Sequence, residues 1–195
     1  PDEETRSRYL AVLRAEAERL GHLVENVLSY ARLERGRPLT ALEVVEAGTL
    51  LEHRLRSLEV RTAQAEMSLE VTGEPDAWTR CVRADGDATE RILYNLVDNA
   101  CKYAGDAEDR RIHVECLSRD RGVALRVRDH GPGVASDVLP RLFQPFSKSA
   151  QDAAGTVPGI GLGLSLARRL ALGMGGDLCR VDVDEGARFE LFLRS

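Results

Sequence analysis

The sequence predicts an α+β fold, a two-layer α/β sandwich preceded by a long amphipathic helix. Helical and strand-like segments alternate from residue 39 onward. Two neighbouring segments, 111–117 and 123–129, alternate apolar and polar residues as an antiparallel hairpin does. The first 36 residues carry one continuous helical pattern instead. This combination is typical of helices packed on one face of a sheet, and it divides the chain into domains at 1–36 and 39–195.

The first segment predicts half of a helical bundle. Its apolar residues recur at spacings of three and four, a pattern that buries one helix face against another helix. They are Leu10, Leu13, Ala17, Leu20, Val24, Val27 and Ala31. Gly36 and Pro38 end the helix. We expect residues 9–31 to pair with their copy in a homodimer or with a helix outside the chain. The alternative is a terminal helix packed on the following domain.

The remaining elements follow from apolar periodicity and from turn residues. We predict strands at 41–46, 67–72, 78–84, 111–117, 123–129, 177–183 and 188–193. We predict helices at 50–65, 87–104 and 162–172, and a mobile loop of small and polar residues at 147–158.

Composition and charge exclude several classes. The 195-residue chain is 43% hydrophobic and 30% charged, so it should fold as a globular protein without disulfides or metals. A net charge of -5 argues against nucleic acid as the main partner. No apolar run approaches the roughly 18 residues of a membrane span, and we find no secretory leader. The spacing of the four cysteines fits neither a zinc site nor a CxxC pair, so we expect free thiols in a reducing cytoplasm.

The helix at 87–104 carries the first candidate site. Asp87 is the expected N-cap, and Glu90 completes a capping pattern. At about 100° per residue, one polar stripe lies opposite an apolar face. The stripe consists of Arg91, Asn95, Asn99 and Lys102. Amide oxygens suit Mg²⁺ and a lysine suits phosphate, whereas the competing interpretation is a solvated polar face. Because asparagine is a poor helix former, two of them one turn apart favour a site.

Two glycine motifs follow. The segment DHGPG at 129–133 comes directly after a predicted strand, so its carboxylate could accept from an exocyclic amino group while the glycines let a planar base approach. The alternative is a tight turn. The segment GIGLG at 159–163 precedes a helix whose N-terminal N–H groups can cradle phosphates. Its spacing and late position fit neither a Rossmann GxGxxG nor a P-loop.

In the order of these motifs the sequence resembles the ATP-binding region of sensor histidine kinases, within the superfamily that includes gyrase, Hsp90 and MutL. The similar segments are an N-box at 95–103, a first glycine box at 129–133, a phenylalanine box at 142–146, a second glycine box at 159–164 and closing segments at 174–176 and 186–193. Residues 1–36 resemble the second helix of the dimerisation and histidine-phosphotransfer bundle. The resemblance implies a Bergerat-type ATP-binding fold, a mixed sheet covered by three helices.

The resemblance also implies how the base and sugar are held. Asp129 would hold the adenine amino group, and Gly131 and Gly133 would let the base and ribose approach. Tyr103 would contact phosphate or ribose. Further nucleotide contacts would come from Val134, Phe146, Gly159, Ile160, Gly161, Leu162, Gly163 and Leu164.

At the phosphate end, the resemblance implies that Asn99 binds Mg²⁺ and that Lys102 contacts phosphate. Lys148, in an ATP lid at 147–158, would lie near the γ-phosphate. Related ATPases carry a glutamate general base where this chain has Asn95. Because an amide cannot take a proton, phosphoryl transfer to a protein group fits better than hydrolysis. Asn95, Lys102 and Lys148 form the implied catalytic set.

The implied function is that of a kinase that transfers the ATP γ-phosphoryl group to a histidine, for relay to a response-regulator aspartate. No histidine here is followed by Glu or Asp, as the family's phospho-acceptor is. We therefore expect a piece of a longer protein that lacks the acceptor helix and binds ATP without phosphorylating itself. It would lie in the cytoplasm, and its parent could be anchored in the inner membrane. Ala187 stands where the family often has threonine, so one adenine contact would be lost.

Two alternatives remain open. A serine kinase of the anti-sigma-factor type uses the same ATP-binding fold but has no long bundle helix before it. A dimeric scaffold with a degenerate nucleotide site would not need Asn99, Lys102, Asp129 or the glycines.

Overall fold

The computed structural model describes residues 41–147 and 161–195 continuously, together with scattered residues among the first 30. The chain divides into two units, Pro1–Arg37 and Pro38–Ser195. In the first unit, four of the predicted seam residues are described, and all four are helical and exposed. They are Leu10, Leu13, Val24 and Val27. Ala17, Leu20 and Ala31 lie outside the described residues. The assignment of this unit to a dimerisation bundle stays a prediction.

The second unit contains seven strands within the described residues. They are β1 (Glu43–Glu46), β2 (Ser68–Gly73), β3 (Cys81–Ala84), β4 (Arg111–Arg119), β5 (Gly122–Arg128), β6 (Asp177–Arg180) and β7 (Arg188–Arg194). Its helices are α1 (Ala47–Gln64), α2 (Pro75–Trp78), α3 (Gly86–Tyr103) and α4 (Gly163–Gly173), with a 3₁₀ turn at Leu139–Arg141. Among the residues that the structure covers, no helix is long and apolar enough to cross a membrane.

The main sheet has five strands in the order β2-β4-β5-β7-β6. β2 and β4 are parallel, and all the other neighbours are antiparallel. β1 and β3 form a separate two-stranded antiparallel sheet. The hairpin predicted at 111–129 is therefore confirmed, with Val114 opposite Val127 and Cys116 opposite Leu125.

The long helices α1, α3 and α4 pack against the main sheet. Strand residues alternate between the two faces of a sheet, and the residues on the helix side are buried. They include Ile112, Val114, Cys116, Leu125, Leu191 and Leu193. The opposite face carries charged side chains, among them an ion-pair network of Arg119, Arg126, Glu115 and Glu190. The predicted sandwich, a mixed sheet covered by helices on one face, is confirmed.

The strand predicted at 78–84 is wrong in its first three residues. Pro75 starts a one-turn helix, where its missing N–H is no loss, and Trp78 ends it. The Trp78 indole lies so close to Gly48 and Gly73 that a β-carbon on either glycine would lie within 2.8 Å of the ring. This packing orients the indole inward and delays the strand until Cys81.

The N-cap of α3 also differs from the prediction. Asp85 rather than Asp87 caps the helix, because its Oδ1 accepts the backbone N–H of Ala88 at 3.0 Å. Its second oxygen accepts the N–H of Ala41 at 3.3 Å, so the capping carboxylate also ties α3 to the start of the unit. Asp87 lies in the first turn of the helix instead.

Two smaller points concern the end of β6 and the state of the cysteines. β6 ends at Arg180, three residues before the predicted limit; Arg180 pairs with Phe189, next to the first residue of β7, so the partner strand ends there as well. The four cysteines are free thiols, of which Cys101 and Cys116 are buried and Cys81 and Cys179 exposed.

Candidate functional site

Asp129 lies directly after β5 and is fixed by the backbone on two sides. Its Oδ1 accepts the N–H of Gly131 at 2.9 Å and the N–H of Ala187 at 3.0 Å. Its own N–H donates to the carbonyl of Ala187 at 3.0 Å. The residue is only 5% exposed. Burial raises the pKa of Asp129, although the two backbone hydrogen bonds oppose the rise.

These contacts leave Oδ2 of Asp129 as the available acceptor. Within the described residues, no hydrogen bond to Oδ2 is recorded. A buried carboxylate oxygen whose partner oxygen is held by backbone N–H groups can accept a hydrogen bond from an amino group in a fixed direction. The arrangement therefore suits the role that the sequence predicts for Asp129.

The turn after Asp129 is held against the end of α3 and the start of β7. A β-carbon on Gly131 would lie only 3.0 Å from the Ala104 backbone, so glycine is favoured at this close approach. Gly186 has a φ of 81°, and a β-carbon there would lie 1.9 Å from the carbonyl oxygen of Asp129. Gly133 also has a positive φ, and Val134 beside it is half-buried.

The polar stripe of α3 is confirmed in its placement. Its apolar counterpart is fully packed: Ile92, Leu93, Leu96, Val97 and Ala100 are buried. On the polar side, Asn99 and Lys102 are half-buried, Tyr103 is 42% exposed, and Asn95 is only 8% exposed. The Asn95 amide nitrogen donates to the carbonyl of Arg91 at 2.9 Å.

Asn95 brings the N-box to the second glycine box. A β-carbon on Gly163, the first residue of α4, would lie 3.0 Å from Oδ1 of Asn95. The start of α4 and the middle of α3 therefore face each other, with Leu162 buried and Leu164 half-buried beside them. The first N–H groups of a helix lack helical acceptors and carry its positive dipole end. An anion bound there would lie next to the asparagine stripe.

Lys102 is engaged with a carboxylate. Its ammonium pairs with Asp98, four residues earlier on the same helix. The other oxygen of Asp98 accepts from Nε of Arg61 at 2.9 Å, so one carboxylate links α1 to the lysine. A phosphate contact by Lys102 therefore requires the lysine to share Asp98 with Arg61 and phosphate, or to exchange Asp98 for phosphate. The pairing of Lys102 with Asp98 is absent from the sequence-based prediction.

The ends of the predicted lid are joined. The backbone N–H of Phe146 donates to the carbonyl of Gly161 at 2.9 Å, and both residues have positive φ, 61° and 71°. The Phe146 side chain is 70% exposed. Phe143 is the packed aromatic of this box, because its ring meets Phe189 edge-on with centroids 6.5 Å apart. Lys148, Gly159 and Ile160, like most of 147–158, lie outside the described residues.

Asn99 provides an oxygen ligand that fits a magnesium ion. Its side-chain oxygen is a hard ligand, it is half-buried, and no hydrogen bond to it is recorded from the described residues. Nowhere in that part of the chain do three or more His, Cys, Asp or Glu side chains form a metal-binding group. The Asn99 amide oxygen fits an ion that is held mainly by nucleotide phosphates and water, since Mg²⁺ takes few protein ligands in nucleotide sites.

Sequence reasoning missed the contribution of the segment before β7. Gly186 and the backbone of Ala187 hold Asp129, whereas the sequence indicates only that Ala187 lacks a threonine side chain. The Gly186 in the closing motif was a usable signal, but its partner could not be identified without the pairing of β5 with β7.

Comparison with known proteins agrees with this geometry. Residues 84–195 match the family model described as "Histidine kinase-, DNA gyrase B-, and HSP90-like ATPase". The C4-dicarboxylate transport sensor protein DctB of Rhizobium meliloti is 34% identical over 173 residues, which are 87% of this chain. The chain spans only 25% of the length of that relative.

Solved structures show the same fold. The Acinetobacter baumannii histidine kinase AdeS superposes with a TM-score of 0.72 at 23% identity, covering 100% of this chain and 85% of the other. Full-length ShkA in complex with AMPPNP superposes with a TM-score of 0.69 at 28% identity, covering 100% of this chain and 40% of the other. The chain therefore belongs to the histidine kinase-, DNA gyrase B- and HSP90-like ATPase family, and it carries the ATP-binding domain of the sensor histidine kinase type.

Proposed function

We propose that this domain binds ATP with Mg²⁺ and transfers the γ-phosphoryl group to a histidine outside these 195 residues, from which a response-regulator aspartate receives it. The observation that carries the proposal is the fixed carboxylate of Asp129, held by Gly131 and Ala187 beside the end of α3. A site of this kind is specific for a base that offers an amino group.

Adenine recognition rests on the direction of the Asp129 carboxylate. Oδ1 is occupied by two backbone N–H groups, so Oδ2 accepts from the exocyclic amino group of adenine. Guanine presents a carbonyl oxygen at the equivalent ring position, which would meet a carboxylate oxygen without a proton between them. Buried polar groups left unpaired weaken binding strongly. The site should therefore prefer ATP to GTP.

Phosphate binding would use α3 and the start of α4. Asn99 would hold the magnesium ion, which neutralises phosphate charge when bound. Backbone N–H groups at Leu162 to Leu164 would meet the phosphates, because the first turn of α4 opens toward Asn95. Lys102 would add charge after exchanging Asp98 for phosphate.

The same geometry favours transfer over hydrolysis. Asn95 occupies the position of the general base in related ATPases, and its amide donates to Arg91 rather than accepting a proton. Phosphoryl transfer depends mainly on positioning and on charge stabilisation, so a protein nucleophile delivered to the site can react where water is poorly activated.

We assign residues 1–36 to the second helix of a dimerisation bundle. The support is the exposure of Leu10, Leu13, Val24 and Val27 on described helical positions. An apolar helical seam exposed in this way needs a partner helix, and a second copy of the chain supplies one. Because this proposal requires ATP and a response regulator, we assign the domain to the cytoplasm. The seam also argues against the serine-kinase alternative, which has no such helix.

Isothermal calorimetry with ATP, with and without Mg²⁺, and with GTP tests the proposal. We expect magnesium-dependent ATP binding that is at least about tenfold tighter than GTP binding, since one misplaced hydrogen bond to a charged group costs that much. Asn99→Ala should remove most of the magnesium dependence.

Two results would contradict parts of the proposal. Absence of heat and of a thermal shift at saturating ATP would favour the non-catalytic scaffold. Stable labelling of this chain by γ-labelled ATP would show that the acceptor lies within it.

A further inference from the structure

Two histidine rings meet on the face of the sheet opposite α1, α3 and α4, beside the adenine end of the site. Nε2 of His113, on β4, lies 3.0 Å from Nε2 of His130, which follows Asp129 directly. The rings are arranged edge to face, with centroids 5.1 Å apart. Both side chains are largely buried, 22% and 11% exposed respectively. A contact of this length between two ring nitrogens is a hydrogen bond, so one nitrogen carries a proton and the other does not.

The neighbouring carboxylates assign the proton. Nδ1 of His113 lies 3.3 Å from Oε2 of Glu70 on the adjacent strand β2, which makes Nδ1 the protonated nitrogen of His113. Its Nε2 is then the acceptor, and Nε2–H of His130 is the donor. Oδ2 of Asp109, 3.5 Å from the same nitrogen of His130, fits a donor at that position. A second proton at this contact would place two N–H groups head to head and break the bond.

Both acidic and basic side chains surround the histidine pair, and they shift the pKa of His113 in opposite directions. Glu70 and Asp109 face the rings as anions, and Arg111 donates to Asp109 two hydrogen bonds from its guanidinium and one from its backbone N–H. Arg128 lies directly opposite His113 in the β4–β5 register, and Arg188 lies opposite Arg128 in the next strand. Burial lowers the pKa of His113 below its ordinary value of 6.5; Glu70 opposes this, while His130, Arg111 and Arg128 add to it.

The pair is connected to Asp129 through one peptide unit. His130 lies between Asp129, whose carboxylate holds Gly131, and Gly131, whose α-carbon lies against Ala104. The ring that His113 holds therefore belongs to the residue between the Asp129 carboxylate and the Gly131 N–H that donates to it. A displacement of His130 would act directly on this turn and on the direction of the Asp129 carboxylate.

We propose that His113 is a positioning residue for adenine binding: through His130 it fixes the Asp129 turn, and it does so only while a single proton lies between the two facing imidazole nitrogens, so that nucleotide affinity falls in mild acid. This inference rests on the proposed ATP binding and adds a pH response to the same site.

The sign and range of the effect follow from the direction of protonation. The intact pair binds one proton fewer at His113 than the opened pair does, so acid favours the opened state. Because the pKa of His113 is lowered in the closed pair, the contact is complete above about pH 6.5 and weakens as pH falls below that value.

Calorimetry with ATP and Mg²⁺ at about pH 7.5 and about pH 5.5 tests the proposal in four proteins. His113→Gln offers an amide oxygen to Nε2–H of His130 but does not titrate in this range. His113→Leu removes the acceptor. His53→Gln, at an exposed position of α1, is the matched control for the same substitution elsewhere. The charge of the ATP phosphates changes with pH in the same way for all four proteins, so the ratio of the dissociation constant at about pH 5.5 to that at about pH 7.5 is compared between them.

For the unmodified chain and His53→Gln we expect this ratio to exceed that of His113→Gln by about fivefold, the value of one ordinary hydrogen bond. His113→Gln should bind ATP nearly normally at the higher pH, whereas His113→Leu should bind about fivefold more weakly there. Equal ratios in the unmodified chain and His113→Gln, with ATP bound in both, overturn the inference and leave the proposed function intact. Failure of every protein to bind ATP at either pH overturns both. If His113→Leu does not fold, the glutamine variant still decides.

Discussion

The adenine end and the phosphate end of the site differ in what holds their polar side chains. At the adenine end, Asp129 is fixed by backbone groups of Gly131 and Ala187, and glycines allow the close approach. At the phosphate end, the proposed ligands include side chains of α3, of which Lys102 is paired with Asp98. The backbone N–H groups that hold the Asp129 carboxylate are already in place in the folded domain, whereas a paired lysine must exchange partners. The adenine end is thus preorganised, and the phosphate end must rearrange on binding.

The largest expected effect is a loss of stability when a side chain is added at Gly186, beside Asp129. Gly186→Ala should lower the free energy of unfolding by about 3 kcal/mol or more, because a β-carbon would meet the Asp129 carbonyl and the φ is positive. Gly175→Ala is the matched control: its φ of 77° is similar, but nothing lies within 4 Å of the added carbon. It should cost only about 1 kcal/mol. Denaturant titration measures both, and equal losses would show that the approach to Asp129 is not tight.

Replacing the Asp129 carboxylate by an amide changes nucleotide binding while keeping the fold. Asp129→Asn can still accept from Gly131 and Ala187 through its oxygen, but it turns a donor toward the adenine amino group. We expect ATP affinity to fall about 10- to 100-fold by calorimetry, with little loss of thermal stability. Asp120→Asn, at the exposed turn between β4 and β5, should leave affinity unchanged. Wild-type affinity in Asp129→Asn would remove Asp129 from the binding site.

The smallest expected effect is a change in ATP affinity when Lys102, at the phosphate end, is released from Asp98. Asp98→Asn releases Lys102 and should raise ATP affinity about twofold to threefold, since a partly exposed ion pair holds the lysine weakly. AMP, which lacks the distal phosphates, should bind as before. Arg61→Met removes the other partner of Asp98 and leaves the lysine paired, so it should give no gain. A gain for AMP equal to that for ATP would indicate a general change in the domain rather than a freed lysine.

The features that were predictable from the sequence are those with local signals. The amphipathic period of α3 gave both its buried face and its polar stripe, and strand alternation gave the β4–β5 hairpin. The choice of Asp85 over Asp87 as N-cap was not predictable, because a contact with Ala41, far away in sequence, helps to hold it. The one-turn helix before β3 had a usable signal in Pro75, which is common at the first helical position.

The missed parts of the site depend on register between distant strands. Gly186 reaches Asp129 only because β7 pairs with β5, and His113 reaches His130 only because β4 also pairs with β5. The pairing of Lys102 with Asp98 is different, since a spacing of four residues on a helix already indicates it. The polar stripe of α3 indicates that Lys102 is a phosphate ligand, but the stripe does not include Asp98, which pairs with it.

Backbone amide NMR during titration with ATP and Mg²⁺ tests the central claim most directly, namely that the nucleotide binds with its base at a preformed Asp129 turn. We expect the amide signals of Gly131 and Ala187 to shift on binding, and the same two signals to shift with AMP alone. Signals near Asn99 should require the full triphosphate and Mg²⁺. Saturable ATP binding that leaves Gly131 and Ala187 unshifted would contradict the account.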